Sequence, residues 1–391
     1  MYESWESLIV VICILSWLIY SIVVIIYLNI LTRKYLIPIS RDSYACGKEL
    51  KTYSQLVNQY ADADAINILV LSGGGVRGMV PLHILAYIEE QTGKKVGELF
   101  DFISGSSTGA ISAAGFVIGD VNGGYKFSAK NILDNYWSNS KKIFSSPWYH
   151  QWLTAFGLFA PRFIPDNKIA VLDGYYDDLT LSELKGNLLI PIYNIDQNKL
   201  EIIKNWCSRT GTVNPNFLVT DLINGASSPP TLFPPVAFSL NKQNYMFIDP
   251  AILLNNPVLQ VLLHLRTLFP THKLNMVLIG NGSSSGGEYN YRGLFSFGLY
   301  GLYQYLFSAP ALSSKLYIDF IEEYLVDTER YDKNINFLRI NSVPRDDLDP
   351  VSLSKRNIKK IRRFANKMLN ENMPTIEKII TLLSNKKVKK D

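Results

Sequence analysis

The chain has 391 residues, 47% of them hydrophobic and 12% aromatic, which is enough apolar material for a substantial core and too much for a disordered chain. Basic residues outnumber acidic ones by 39 to 34, a net charge of +5, and no nucleic-acid-binding motif accompanies that excess, so nucleic acid is not an expected partner. The three widely spaced cysteines, Cys13, Cys46 and Cys207, argue against a disulfide framework or a zinc site and suit reducing surroundings.

The first element is the apolar run Leu8 to Leu31, LIVVICILSWLIYSIVVIIYLNIL. Its twenty-four uncharged residues exceed the roughly 20 that a helix needs to cross a bilayer core. A cleaved signal peptide has a basic start, a shorter apolar region and a small-residue cleavage site, whereas Glu3 and Glu6 precede this run and TRKY follows it. Arg33, Lys34, Arg41, Lys48 and Lys51 all follow the run and no Lys or Arg precedes it. That asymmetry predicts a single-pass anchor over residues 1–35, with the rest of the chain in the cytoplasm. Residues 36–65 read as a tether with a short helix near Leu50 to Tyr60.

From Ile66 onward, strand and helix patterns alternate. Ile66 to Leu71 is a strand that runs into the glycine loop SGGGVRG, and Met79 to Glu90 has apolar residues at helical spacing with Pro81 near its start. Phe100 to Ile103 is a second short strand, and Ala110 to Val117 a helix of small and apolar residues. Between them Gly105 and Gly109 stand symmetrically about Ser107. Such a strand–turn–helix holds a serine in a strained backbone conformation with its hydroxyl exposed at the top of a sheet, and its glycines let neighbouring chain approach. Further strands are expected at Leu188 to Tyr193, Tyr245 to Ile248 and Met276 to Ile279. The alternation predicts an α/β domain around a mainly parallel sheet. The aromatic stretch Gly293 to Phe307 reads as a core-covering helix or a lipid-touching surface.

The loop Gly73 to Gly78 fits G-x-G-x-x-G, a pattern that serves two chemistries. A dinucleotide site needs an acid about 20 residues on, at the end of the next strand, yet Glu98 and Asp101 both come before that strand. The same backbone N–H groups would stabilise an oxyanion, and only that use calls for an exposed serine on the next turn. A serine nucleophile requires a base. Of the four histidines, His83 and His264 fall in helix patterns and His150 and His272 in polar or aromatic stretches, so all four read as structural or surface residues. Asp249 closes the apolar run YMFI ahead of Pro250, at a strand end where functional groups of open α/β sheets gather, and is the leading partner.

With GGGVRG at Gly73 to Gly78, GSSTG at Gly105 to Gly109, ASSPPTLFPP at Ala226 to Pro235 and IDPAILLNNP at Ile248 to Pro257, the chain resembles the patatin-like phospholipases. The resemblance extends from about Ile66 to Leu369, with NFLRIN at Asn336 to Asn341 as a late strand, and does not cover the apolar run. It implies a patatin-like three-layer α/β fold over residues 66–350. It makes Ser107 the nucleophile, in an elbow of Gly105, Ser106, Thr108 and Gly109, and Asp249 its partner in a Ser-Asp dyad. Gly73, Gly74, Gly75, Val76, Arg77 and Gly78 become the oxyanion hole. No metal or cofactor is implied. The departure is Asp249-Pro250-Ala251, where the family usually has Asp-Gly-Gly or Asp-Gly-Ala; proline fixes φ and removes an N–H, so it either shifts the carboxylate or stiffens the turn.

The activity so implied is that of a membrane-anchored lipid acyl hydrolase, of phospholipase A or related lipase type, acting on membrane phospholipids or other lipid esters. A transacylase using the same dyad and a lipid-binding pseudoenzyme of weak activity are the alternatives. Residues 351–391 carry twelve Lys or Arg against three acids, expected as a basic helix and tail that either rest on anionic headgroups or form a solvated face.

Overall fold

The computed structural model describes residues 2–41, 49–209, 215–282, 316–326, 334–345 and 348–384. The aromatic stretch 293–307 and the basic tail 385–391, with Lys386, Lys387, Lys389 and Lys390, lie outside them.

Alternation along one strand builds the layers. In β2 (Ala65–Leu71), Leu69 and Leu71 join one buried cluster while Ile66, Ile68 and Val70 join another, as a period of two requires of a sheet covered on both faces. The first face is covered by α3 (Met79–Thr92), α5 (Thr108–Phe116), α6 (Ala129–Ile143) and α9 (Val219–Ala226), and the second by α2 (Tyr53–Gln59) and α10 (Val258–Leu268). The result is a three-layer α/β architecture. Two further helices, α11 (Lys355–Glu371) and α12 (Met373–Ser384), place Ile358, Ile361, Phe364, Met368 and Ile376 in the first of these clusters. The basic residues of α11 therefore ride on the outside of a helix whose apolar face belongs to the main core.

Among the described residues, the sheet has nine strands in the order β1-β6-β7-β4-β3-β2-β8-β9, with β5 paired to β4. The central ladder of β8 (Lys273–Ile279), β2, β3 (Phe102–Gly105) and β4 (Asn187–Asn194) is parallel, and β9 (Ile335–Ile340) extends it. Sequence patterns missed β5 (Lys199–Lys204) and β6 (Val236–Leu240), which are short and pair antiparallel with β4 and β7 (Gln243–Ile248) respectively.

One consequence of the register governs the site. Leu189 of β4 pairs with both β3 and β5, and Tyr193 with both β5 and β7. A strand has two edges, so β5 occupies one of them and β3 and β7 share the other. β3 is parallel to β4 and β7 antiparallel, so their C-terminal ends point at each other along that edge. Between them lie Ile190, Pro191 and Ile192, facing the turns that follow Gly105 and Ile248.

The N-terminal helix α1 (Tyr2–Tyr35) contains a stretch, Ile9–Tyr35, that is long and apolar enough to cross a membrane. The segment after it is attached to the domain. β1 (Ile39–Ser40) pairs parallel with β6, and Lys51 bridges Trp206. Arg41 Nε and Nη2 donate to the two Asp221 carboxylate oxygens at 2.8 and 2.9 Å. α2 opens on a Thr52 capping box with Gln55 and buries Leu56.

Candidate active site

Ser107 follows β3 and starts α5 with φ 53° and ψ −120°. A serine with positive φ is strained, and such strain concentrates at functional sites. The flanking glycines answer to contact distances. A Cβ on Gly105 would lie 2.2 Å from the Gly109 carbonyl oxygen, and one on Gly109 would lie 2.7 Å from that of Leu71. The turn thus folds back on itself and onto the end of β2, where only hydrogen fits. Ser106 points away, its hydroxyl donating to Leu254 O at 3.1 Å.

The glycine loop lies beside the elbow because β2 and β3 are neighbours in parallel register, Leu71 opposite Gly105. Gly73 N donates to Asn255 O at 3.2 Å, Val76 N to Pro350 O at 2.8 Å and Arg77 N to Gly74 O at 3.1 Å. Among the described residues, the amides of Gly74 and Gly75 have no such acceptor, and both residues line the pocket that holds Ser107. Arg77 braces the loop through its guanidinium, which donates to Gly74 O and to Gly282 O. Val76 is fully buried in the core, and Gly78 packs against Thr108. The predicted loop therefore divides into Gly74 and Gly75, which line the pocket with amides not engaged elsewhere among the described residues, and residues that brace the loop.

Asp249 follows β7, and the head-on arrangement of β3 and β7 brings it to Ser107. It is 1% exposed. Its Oδ1 accepts from Ala251 N at 2.9 Å, while Oδ2 meets no donor at full hydrogen-bond geometry and the Ser107 hydroxyl is close enough to favour its ionised form. Burial pushes the carboxyl up to about 6, against the opposing pull of the Ser107 hydroxyl, the Ala251 amide and the Lys168 ammonium. Pro250 occupies the first position of a short helical turn, Pro250–Ile252, capped by Asp249. The N–H that proline lacks would be unpaired at that position in any case, so Pro250 stiffens the turn and leaves the carboxylate beside the serine.

Lys168 is a component that the sequence did not reveal. It lies on α8 (Asp166–Tyr176) and is 1% exposed. Its Nζ donates to Asn224 O at 3.1 Å, Ser227 O at 3.0 Å and Ser228 Oγ at 2.6 Å, and stands 4.2 Å from the centre of the Phe233 ring. Two of these acceptors are carbonyls at the C-terminal end of α9, where the helix dipole favours a cation. Burial pulls the ammonium down to about 7, with Asp249 opposing that shift. Ser228 O in turn accepts from Asp249 N at 3.0 Å, so the lysine supports the aspartate both by charge and through the backbone. In the sequence its neighbours DNKIAVLDG present it as an ordinary solvated helical lysine.

The pocket has a cavity volume of about 90 Å³. Its polar floor is Gly74, Gly75, Arg77, Ser107, Lys168 and Asp249, and its wall is Ile111, Ile143, Phe144, Leu232, Phe233 and Val351. Tyr136 O–H donates to Gly75 O at 3.1 Å and fixes the loop from the wall side. Pro350 is held by Asn357, at the start of α11, whose Nδ2 donates to Asp349 O and Ser352 O, both at 2.8 Å. None of the four histidines is among the lining residues. Among the described residues, no group of three or more His, Cys, Asp or Glu is placed to hold a metal ion.

A mainly parallel sheet thus brings a strained serine turn, a glycine loop and a buried carboxylate to one pocket, an α/β arrangement with the parts that serine-centred chemistry would need. Residues 69–262 match the model of the patatin-like phospholipase family. Patatin-like protein 3 of Arabidopsis thaliana is 30% identical over 218 residues, covering 50% of each chain. The chain spans about half the length of that protein and of Arabidopsis Patatin-like protein 1. A cGAMP-activated phospholipase of Vibrio cholerae is 27% identical over 349 residues, covering 81% of this chain and 91% of its own. Among solved structures, human GIVD cytosolic phospholipase A2 aligns with a TM-score of 0.43 and 11% identity, over 85% of this chain and 65% of that one.

Proposed function

We propose that the protein is a membrane-anchored lipid acyl hydrolase in which Ser107 attacks a fatty-acyl ester of a phospholipid or related lipid and Asp249 accepts its proton. The observation that carries this reading is the strained Ser107 beside a buried carboxylate in an apolar pocket. Attack by Oγ on the ester carbonyl forms a tetrahedral adduct whose oxyanion is met by the amides of Gly74 and Gly75, with the N-terminus of α5 adding its positive dipole end. The adduct collapses as the proton passes from Asp249 to the leaving alcohol. Water then attacks the acyl-serine by the same route, releasing the fatty acid and restoring both side chains. Lys168 keeps the base ionised, and the Phe144, Leu232 and Phe233 wall receives the acyl chain. The length and composition of α1 support an anchor, and the basic residues after it support a cytoplasmic catalytic domain. The Asp-Pro-Ala turn leaves the dyad assembled, which favours an active enzyme over a pseudoenzyme.

The test is incubation of the purified full chain with a mixed lipid extract, with and without cGAMP because a phospholipase activated by that ligand is among its relatives, followed by mass spectrometry of the products. Free fatty acid from the wild type and none from Ser107→Ala is expected. Acyl chains appearing on another lipid instead of water would identify a transacylase. Equal release by the Ser107→Ala variant would overturn the assignment.

A further inference from the structure

The chain between α6 and α8 presents its largest apolar side chains to solvent. In α7 (Trp148–Leu153) and the turn after it, Trp148 is 76% exposed, Trp152 62%, Phe156 57%, Leu158 51% and Phe159 55%. The turn is strained as well: Ala155, Phe156 and Gly157 have φ of 46°, 55° and 104° in succession, and two of these are residues for which a positive φ is costly. A buried scaffold holds this shape. Thr154 is fully buried and donates to His150 O at 2.8 Å, and Phe159 N donates to Thr154 O at 3.0 Å. Exposure of five large apolar groups on a braced, strained hairpin calls for a partner.

What that partner is follows from where the hairpin lies. His150 is 2% exposed, and its Nε2 faces Pro161 O at 2.9 Å while Nδ1 faces the Tyr27 hydroxyl of α1 at 2.6 Å. Because a carbonyl accepts only, Nε2 carries the proton, and Tyr27 donates to Nδ1. Tyr20 O–H donates to Trp152 O at 3.0 Å, about two helical turns further along the same face. The start of α8 meets α1 at Lys34, which pairs with Asp166 at 2.6 Å. At about 1.5 Å per residue, Tyr27 lies about 10 Å and Tyr20 about 21 Å beyond Lys34 along the helix, against a hydrocarbon core about 30 Å thick. The hairpin therefore runs beside the apolar part of α1, at depths where α1 as an anchor is surrounded by lipid.

The roots of the hairpin lead to the pocket. Ile143 and Phe144 precede it and line the pocket wall. After it, Arg162 N donates to Thr231 O and Phe163 N to Leu232 O, both at 2.9 Å. Phe163 packs on Phe144 and Phe233 with ring centres 5.7 and 5.5 Å apart.

We propose that residues 148–159 form a wedge that enters the bilayer leaflet nearest the domain alongside α1 and passes acyl chains from that leaflet to the apolar wall of the pocket. The partner is a lipid bilayer, and the inference rests on reading α1 as an anchor and the pocket as a lipid acyl hydrolase site.

The full chain, with Cys13, Cys46 and Cys207 replaced by Ser, is reconstituted in phosphatidylcholine nanodiscs containing lipids brominated in mid-chain. An environment-sensitive NBD probe is attached in turn at Trp152→Cys, Phe156→Cys and Phe159→Cys. Ile19→Cys on α1 and Val121→Cys on a fully exposed loop serve as references. Bromolipid quenching at the hairpin comparable to that at position 19, with none at position 121, is expected. Quenching at position 19 alone overturns the wedge and leaves the anchor standing, and quenching at neither overturns both. A hairpin probe that is desolvated but indifferent to bromine means that a second copy of the chain covers the patch, which also overturns the wedge. The Phe156→Asp/Phe159→Asp double variant should turn over bilayer lipid at least tenfold more slowly relative to a short soluble ester. An unchanged ratio of the two rates overturns the delivery role.

Discussion

Acidification is expected to switch off turnover with an apparent pKa near 6, because the base proposed to activate Ser107 is a carboxyl raised to about that value by burial. Burial disfavours the charged form, so the active carboxylate accumulates as the pH rises through 6 and is lost below it. At pH 7 about nine-tenths of the molecules hold the carboxylate, and at pH 5 about one-tenth, so kcat/KM should fall close to tenfold between pH 7 and pH 5 and a further tenfold by pH 4. An unperturbed aspartate, at about 3.9, would leave more than nine-tenths of the activity at pH 5. The groups facing the carboxyl are the Ser107 hydroxyl, the Ala251 amide and the Lys168 ammonium, all of which lower its pKa. Removing the ammonium in Lys168→Met should move the acidic limb upward by about 1 unit or more, the effect of an opposite charge at close range. The assay is kcat/KM for a short soluble ester between pH 4 and pH 8, which reports the ionisation of the free enzyme. A wild-type profile flat down to pH 4.5, or a limb that Lys168→Met leaves in place, would refute the assignment of Asp249 as the base buried beside Lys168.

Three further outcomes follow from geometry. Ser107→Gly should abolish ester cleavage yet raise the unfolding free energy by about 1 kcal/mol, because glycine tolerates the positive φ that serine adopts under strain; a denaturant melt of the two proteins checks the sign. Gly105→Ala should lower stability by about 3 kcal/mol or more, since its Cβ would lie 2.2 Å from Gly109 O, backbone that cannot move aside; a thermal midpoint unchanged from wild type would be inconsistent with the folded-back elbow. Arg41→Met should cost about 3–5 kcal/mol by leaving Asp221, whose side chain is 8% exposed, without its bidentate partner; urea unfolding measures it.

The sequence exposed those parts of the site that depend on local chain geometry. Ser107, Gly105 and Gly109 sit where a strand pattern gives way to a helix pattern, and Asp249 closes a strand ahead of a proline, so local pattern singled them out as candidates, to which the family resemblance attached roles. The parallel order of β8, β2, β3 and β4 likewise follows from strands separated by helices. Residues whose role arises from long-range packing left no such mark. Lys168 is buried because α8 lies across the end of α9, about 56 residues away in the chain, and nothing in its own neighbourhood distinguishes it from a surface lysine. The same holds for Pro350, which supports the glycine loop from beyond β9. His150 read as structural or surface, and the structure places it inside the fold, joining α7 to α1. The charge count of α11 drew attention to its solvent side, while Ile358, Ile361, Phe364 and Met368, spaced three or four residues apart, face the core.

The shared edge of β4 makes that strand a ruler. Nucleophile and base are carried by two strands that pair with neither each other nor a common loop, and their separation equals the stretch of β4 left between the two ladders. Inserting or deleting one residue among Ile190, Pro191 and Ile192 would move Asp249 relative to Ser107 by about 3.3 Å, one strand step, and would also shift the register of the β5 ladder, which pairs with all three residues. A change of a single residue in a strand that carries neither Ser107 nor Asp249 is thus enough to separate the two groups of the proposed dyad.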